Sequence, residues 1–288
     1  MQNGIKLLIA GGDMRQIYCA AKLAQRYNIS ITGFDTKAIP SSLRQYVCNF
    51  PQEESFDYTV LPVQPLASDN SVSTPFGLPV TAESIASSVR KGGTVIIGRT
   101  HPGLAELFPY QKIKSYLDRK ELLLKNAVLT AEGAVQIALE KLDISLNELS
   151  VLIVGLGRIG TSLALILRGF GADISAAVRS PEAEAKAHML GIKAVSANNL
   201  DGNFSLVFNT APSAVFTDKN IDIFKNDTLF IELASDAAGF DPAVVSMLGS
   251  RLICANGLPG KTAPLSAGEI IADAVTAIIE EGGGPIDN

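Results

Sequence analysis

Residues 151–180 read VLIVGLGRIGTSLALILRGFGADISAAVRS, and this stretch decides the fold. It opens with an apolar run, 151–154, long enough for one buried parallel strand, and passes directly into Gly155-Leu156-Gly157-Arg158-Ile159-Gly160. The pattern is strand, glycine turn, helix. Gly155 permits the turn, Gly157 withholds the side chain that would keep a pyrophosphate off the backbone, and Gly160 lets the helix lie close to the strand. The helix start, with Arg158 and Ile159 in its first turn, offers free N–H groups and the positive end of its dipole to phosphates. Gly169 and Gly171 close the helix, and 173–178 forms a second strand. The unit has the length that a dinucleotide site requires.

The tip of that second strand selects the dinucleotide. An NAD site calls for Asp or Glu there, to bond the ribose 2′-hydroxyl, whereas this chain has Arg179 and Ser180. A guanidinium and a hydroxyl suit a 2′-phosphate, so the expected cofactor is NADP(H). Asp173 lies at the wrong end of the strand, and the next acid is Glu182.

The remaining composition narrows the class. A chain of 288 residues fits two domains of ordinary size, and 47% hydrophobic against 18% charged residues describes a compact enzyme-like protein. A net charge of −5 without a dense Lys/Arg run argues against a nucleic-acid surface. Cys19, Cys48 and Cys254 are widely spaced and odd in number, which indicates neither a disulfide framework nor a metal site and fits a reducing, cytoplasmic setting. The start, MQNGIKLLIAGG, is too short in apolar residues for a signal peptide, and no uncharged apolar run reaches membrane length, so no membrane association is expected.

Taken in order, 6–10 is a buried strand by pattern, and Gly11-Gly12-Asp13-Met14-Arg15-Gln16 turns into a helix reaching about Tyr27. This echoes the later fingerprint without its third glycine, and Asp13 would repel a phosphate, so it reads as a helix N-cap and not as a second nucleotide site. Segments 29–34 and 58–63 read as strands, and 64–79, rich in Ser, Pro and Asn, as a long loop whose Ser71, Ser73 and Thr74 could bond a carboxylate. Thr81 starts a helix ending at Gly92-Gly93, and 94–98 is a strand leading to Arg99-Thr100-His101-Pro102. An amphipathic stretch, 113–124, precedes a helix through Leu142 that carries Glu132 near its start and is expected to cross between domains. Strands at 206–208 and 228–231 end in Asn209-Thr210-Ala211-Pro212-Ser213 and Glu232-Leu233-Ala234-Ser235, and both tips should flank a nicotinamide. A last strand, 251–254, leads through the loop 256–262, which contains Gly257 and Lys261, to a long helix from about Pro264 to Glu280. Its apolar face, Ile270, Ile271, Val275, Ile278 and Ile279, requires packing, which we expect it to find by returning to the first domain.

The expected architecture is therefore α/β with two domains: a substrate domain of residues 1–128 plus 264–288, and a Rossmann NADP-binding domain of 129–263. The expected cofactor residues are Gly155, Gly157, Arg158, Ile159, Gly160, Arg179, Ser180, Asn209, Thr210, Ala211, Pro212 and Gly257. A cleft between the domains would hold the substrate.

Together GGDMRQ, TAEG, VGLGRIG, FNTAPS, ELAS and NGLPGKTAPLSAGEI resemble, in the same order over nearly the whole chain, the A subunits of the dipicolinate synthase family of spore-forming bacteria. The resemblance implies NADP-linked oxidation of dihydrodipicolinate, or of its hydroxylated tetrahydro precursor, to dipicolinate. It implies work with a flavoprotein-like B subunit in the cytoplasm of the mother cell during sporulation. A dicarboxylate substrate makes Arg15, Arg99, Lys261 and Ser73 the binding candidates, and Glu132, Glu232 and His101 the candidates to take the proton. A homo-oligomer is left open. Two competing readings remain: a shikimate-dehydrogenase-like NADP oxidoreductase, suggested by VRS followed by Lys186 and by FNTAPS, and a non-catalytic subunit that only holds NADP.

Overall fold

The computed structural model describes residues 4–48, 55–67, 69–72, 74–77, 80–200, 202–234 and 239–282. Two compact units emerge, one of Met1–Lys125 with Ala263–Asn288, the other of Asn126–Thr262.

In the first unit β1 (Lys6–Ala10), α1 (Met14–Leu23), β2 (Asn28–Thr32) and β3 (Phe56–Val60) follow one another. They lead to a short antiparallel pair, β4 (Ser71–Val72) with β5 (Val80–Thr81), and then to α2 (Ala82–Ser88), β6 (Val89–Ile97), α3 (Leu104–Leu107) and β7 (Lys112–Ser115). The main sheet is parallel throughout, in the order β2-β1-β3-β6-β7. Parallel strands are covered on both faces, and successive residues alternate between them. Leu7 and Ile9 thus face α1 and the C-terminal helix α9 (Pro264–Glu281), while Leu8 and Ala10 face α2 and α3. The expected return of the last helix to the first domain is what the chain does: Ile271, Val275, Ile278 and Ile279 of α9 join Ile17, Ala20 and Leu23 of α1 in one core.

The long helix α4 (Lys120–Lys141) opens the second unit from Asn126 onward. It is long and apolar enough to cross a membrane, with half of its most apolar stretch packed inside. There follow β8 (Ser150–Val154), α5 (Arg158–Gly169), β9 (Asp173–Val178), α6 (Pro181–Met189), β10 (Lys193–Ser196), β11 (Leu206–Asn209), β12 (Leu229–Glu232), α7 (Pro242–Leu248), β13 (Leu252–Cys254) and α8 (Leu258–Thr262). This sheet is also parallel, in the order β10-β9-β8-β11-β12-β13, the doubly wound order of dinucleotide-binding domains. One face packs on α4 and α5, and the other on a cluster in which Phe216 stacks on Phe240 at 4.5 Å and meets Phe230 edge-on at 5.5 Å.

Several expectations need correction. The helix after Thr81 stops at Ser88, and β6 starts at Val89 and runs through Gly92-Gly93. Val89 pairs with Phe56 and Thr94 with Tyr58, so the glycine pair is a bulge within the strand, and Gly92 takes φ 79°. The amphipathic stretch 113–124 begins in the edge strand β7 and ends in the first residues of α4. Strand β10 and helix α7 carry no pattern noted above, and Leu258–Thr262 is a helical turn and not a loop. Ser73 and Ser235 lie outside the described residues.

At Gly268 in α9 an added Cβ would come within 2.5 Å of the Arg15 carbonyl oxygen and 2.7 Å of Tyr18 Cβ on α1. Alanine gains about 1 kcal/mol of helix propensity over glycine, but overpacking costs about 1–3 kcal/mol. Gly268→Ala is therefore expected to lower the thermal midpoint, measured by circular dichroism, whereas propensity alone would raise it.

Candidate functional site

The second unit builds its site at the carboxyl ends of β8 and β11, where the strand order reverses. Each fingerprint glycine meets a distinct demand. Gly155 adopts φ 89°, which a side chain would oppose. A Cβ at Gly160 would fall on the carbonyl oxygen of Gly155, so only glycine lets α5 start this close to β8. A Cβ at Gly157 would meet nothing within 4 Å, so the backbone there lies open to an approaching group. Gly157 caps α5 without a side-chain bond, and the Thr161 N–H is bonded to the Gly157 carbonyl at 3.0 Å. The preceding N–H groups of Arg158, Ile159 and Gly160 have no acceptor within the helix. These features fit a pyrophosphate.

Around this turn the polar groups are locked together. Thr210 donates its hydroxyl to the carbonyls of Val154 at 2.9 Å and Gly155 at 3.1 Å, tying the β11 tip to the glycine turn. Lys186 of α6 donates to the Leu156 carbonyl at 3.0 Å. At the β9 tip Arg179 donates to Ser213 Oγ at 3.1 Å, and Ser180 caps α6 by accepting from the Ala183 N–H at 3.2 Å. Arg179, Ser180 and Lys186 thus rim one side of the turn, with no acid at the strand end. Ser213 and Lys186 were not among the expected cofactor residues. Lys186 lies about one and a half turns into α6, a spacing that brings it back over the glycine loop.

Asn209 and Glu232 do something other than expected. Asn209 is fully buried, and its Nδ2 donates to both Glu232 oxygens at 2.9 Å and to the Ala211 carbonyl at 3.1 Å, while its Oδ1 accepts from the Ala211 N–H. Glu232, 1% exposed, also accepts from the N–H groups of Ala234 at 2.7 Å and Gly239 at 3.2 Å. Its acceptor sites are filled from inside the fold, so the carboxylate ties strand tips together and does not face a ligand. Burial pushes its pKa up against the lowering effect of the Asn209 and backbone hydrogen bonds.

Gly257, with φ 69°, turns the chain into α8, and Lys261 on α8 is exposed. Glu132, exposed on α4, makes no side-chain hydrogen bond among the described residues.

The remaining candidates belong to the first unit. His101 accepts the Gly103 N–H on Nδ1 at 3.2 Å, which leaves the proton of a neutral ring on Nε2. A base at Nε2 is therefore not available in that tautomer. Arg99 is exposed just beyond β6. Arg15 lies on Asp13, with Nε at 2.9 Å and Nη2 at 2.7 Å, and Asp13 also caps α1 by accepting the Arg15 N–H at 3.0 Å, as its reading as an N-cap requires. Burial alone would lower the Arg15 pKa, but the hydrogen bond and charge of Asp13 hold it raised.

Residues 6–117 match the N-terminal domain of the dipicolinate synthase A subunit, and residues 125–258 match the NAD-binding domain of the D-isomer specific 2-hydroxyacid dehydrogenases. The dipicolinate synthase A subunit of Bacillus subtilis is 25% identical over 98% of both chains. The chain thus resembles the dipicolinate synthase A subunits over nearly its whole length. The crystal structure of the A subunit from Bacillus halodurans superimposes with a TM-score of 0.86 at 25% identity, over 99% of this chain and 100% of that one. A transhydrogenase from Sinorhizobium meliloti, at 16% identity over 96% of this chain and 94% of that one, shares the fold with a TM-score of 0.67. The second unit is thus a nicotinamide-dinucleotide-binding domain of the dehydrogenase type.

The Glu232 network predicts a stability effect. In Glu232→Gln one oxygen becomes an amide that faces N–H donors, which leaves buried donors unmet at about 1–3 kcal/mol. A lower urea midpoint with an unchanged slope is expected.

Proposed function

We propose that the chain is the A subunit of a dipicolinate synthase, an oxidoreductase that uses NADP and oxidises dihydrodipicolinate, or its hydroxylated tetrahydro precursor after loss of water, to dipicolinate. The observation that carries the cofactor assignment is the β9 tip. Arg179 and Ser180 stand where an acid would bond a ribose hydroxyl, and Lys186 adds a second cation beside the same turn. Two cations and a hydroxyl favour a 2′-phosphate through charge-assisted bonds.

A bound nicotinamide would supply the acceptor for the hydride that leaves the partly reduced ring. The chain's own residues do the rest. The N–H groups of Arg158 to Gly160 would hold the pyrophosphate at the start of α5. Thr210, fastened to Val154 and Gly155, and Asn209, fastened to Glu232, fix the tip of β11. Orientation is the main requirement, because gain of aromaticity drives the oxidation of a dihydropyridine. One proton leaves with each hydride. Among the described residues Glu232 and His101 both accept internal hydrogen bonds and Glu132 makes none, so Glu132 or water takes that proton.

The shikimate-dehydrogenase-like reading needs a Lys and Asp pair in the first unit. Lys91 lies over the Tyr110 ring at 5.3 Å, and Asp57 accepts the Lys6 N–H at 2.7 Å and pairs with Arg90 at 2.9 Å. Both are at the starting ends of their strands, away from the ends where ligands bind. The reading of a non-catalytic subunit is separated by experiment.

Two measurements test the proposal. Arg179→Asp is expected to weaken NADPH binding by about 10- to 100-fold, the worth of a charge-assisted bond, with little loss for NADH. Unchanged selectivity, read by fluorescence titration, would remove Arg179 from the cofactor. The purified chain with NADP+ and dihydrodipicolinate, with and without the B subunit, should yield NADPH and dipicolinate in step. Product only with both subunits would favour a chain that holds NADP and needs its partner, and no product in either mixture rejects the reaction.

A further inference from the structure

The first unit contains a second strand-order reversal that the dinucleotide site does not use. In the order β2-β1-β3-β6-β7 the direction turns between β1 and β3, and open parallel sheets bind ligands beyond the carboxyl ends at such a point. Four observations meet there. Gly11 and Gly12, leaving β1, hold φ 62° and 92°, and a Cβ at Gly12 would fall on the Gln16 side chain and 2.9 Å from Pro62 Cβ. Gln16 therefore fills the angle between the segments that leave β1 and β3. It is 2% exposed, yet neither Nε2 nor Oε1 has a hydrogen-bond partner among the described residues. Buried carboxamides are almost always bonded, so this one calls for an explanation.

The third observation is the pairing of helices. A Cβ added at Gly268 of α9 would fall against Arg15 and Cys19 of α1, Asp273 pairs with Lys22 at 2.6 Å, and Glu280 pairs with Arg26 at 2.9 Å. The two helices run in the same direction, so their N-termini arrive together at this edge of the sheet. The dipole of α1 is met by Asp13, whereas α9 has no side-chain cap and no acid in its first turn. The Ala267 N–H bonds to the Ala263 carbonyl at 3.0 Å, which leaves those of Leu265 and Ser266 without an intrahelical acceptor. Fourth, Arg15 engages Asp13 through Nε and Nη2, and its Nη1 makes no hydrogen bond among the described residues.

We propose that this edge of the first unit is a binding site for a small carboxylate with a ring nitrogen beside it. Arg15 Nη1 and the N–H groups of Leu265 and Ser266 take the carboxylate, and the Gln16 carboxamide pairs with the nitrogen. The choice of ligand rests on the dipicolinate reading, because pyridine-2,6-dicarboxylate carries a carboxylate next to its nitrogen. Both amide atoms of Gln16 are shielded from solvent, so a ligand engages them only after covering atoms shift, and association should be slower than encounter.

The test is calorimetric titration of the full chain with pyridine-2,6-dicarboxylate and with benzene-1,3-dicarboxylate, which lacks the nitrogen, alongside a separate titration with NADPH. The pyridine compound should bind, and the benzene analogue about tenfold more weakly or worse. Gln16→Met should reduce the pyridine compound to the level of the benzene analogue, leave NADPH affinity unchanged, and keep or raise the thermal midpoint, because an apolar chain of similar length replaces an unmet amide. Arg15→Gln should weaken both dicarboxylates. Pyridine-2,6-dicarboxylate affinity unchanged in both variants overturns the site and leaves the substrate reading standing. A lower thermal midpoint in Gln16→Met also overturns it, since the amide would then be held by internal water. No binding of either dicarboxylate by the unaltered chain, with NADPH binding intact, rejects the site and the dicarboxylate reading together.

Discussion

Parallel strands cannot be joined by a hairpin, and this constraint governs both units. Each strand is reached by a crossover lying on a sheet face, so both faces are covered and both must be apolar. Every crossover also leaves its strand at the same end. The loops that can bind anything therefore collect at the carboxyl edge, and they are widest apart where the strand order reverses. The glycine turn after β8 and that after β1 occupy these two positions, one in each sheet.

Within the second unit, the edge is held by polar groups that no apolar packing could replace. Thr210 bonds the carbonyls of the glycine turn, and Asn209, in the adjacent position, bonds Glu232 and Ala211. Glu232 also accepts from the N–H groups of Ala234 and Gly239. Removing such a network leaves donors buried and unmet, which makes its members stiff supports for the neighbouring surface. Residues that look catalytic by type and position in the sequence thus act as its frame.

The parts legible from sequence were those encoded locally. A short apolar run followed by GLGRIG specifies strand, turn and helix because each glycine answers a backbone demand within six residues, and Arg179-Ser180 follows at the end of the next strand. The apolar face of 264–280 required a partner, and α1 provides it. Edge elements were harder. Strand β7 carries lysines at Lys112 and Lys114 because one side of an edge strand meets solvent, and this disguises it as a helical face. In β6 the Gly92-Gly93 bulge reads as a helix end because glycine marks both.

By itself, the sequence determined the strand-turn-helix unit at 151–180, its dinucleotide turn and the basic tip that replaces an acid, because those properties depend on neighbours in the chain. Only the tertiary structure decided the fate of individual polar groups. Nothing in the local sequence distinguishes Glu232, buried among N–H donors, from Glu132, exposed on a helix, or reveals that Gln16 is buried without a partner among the described residues while Asp13 is occupied by Arg15. The protonation and reach of a side chain follow from which distant groups surround it, and those groups meet only when the sheet closes.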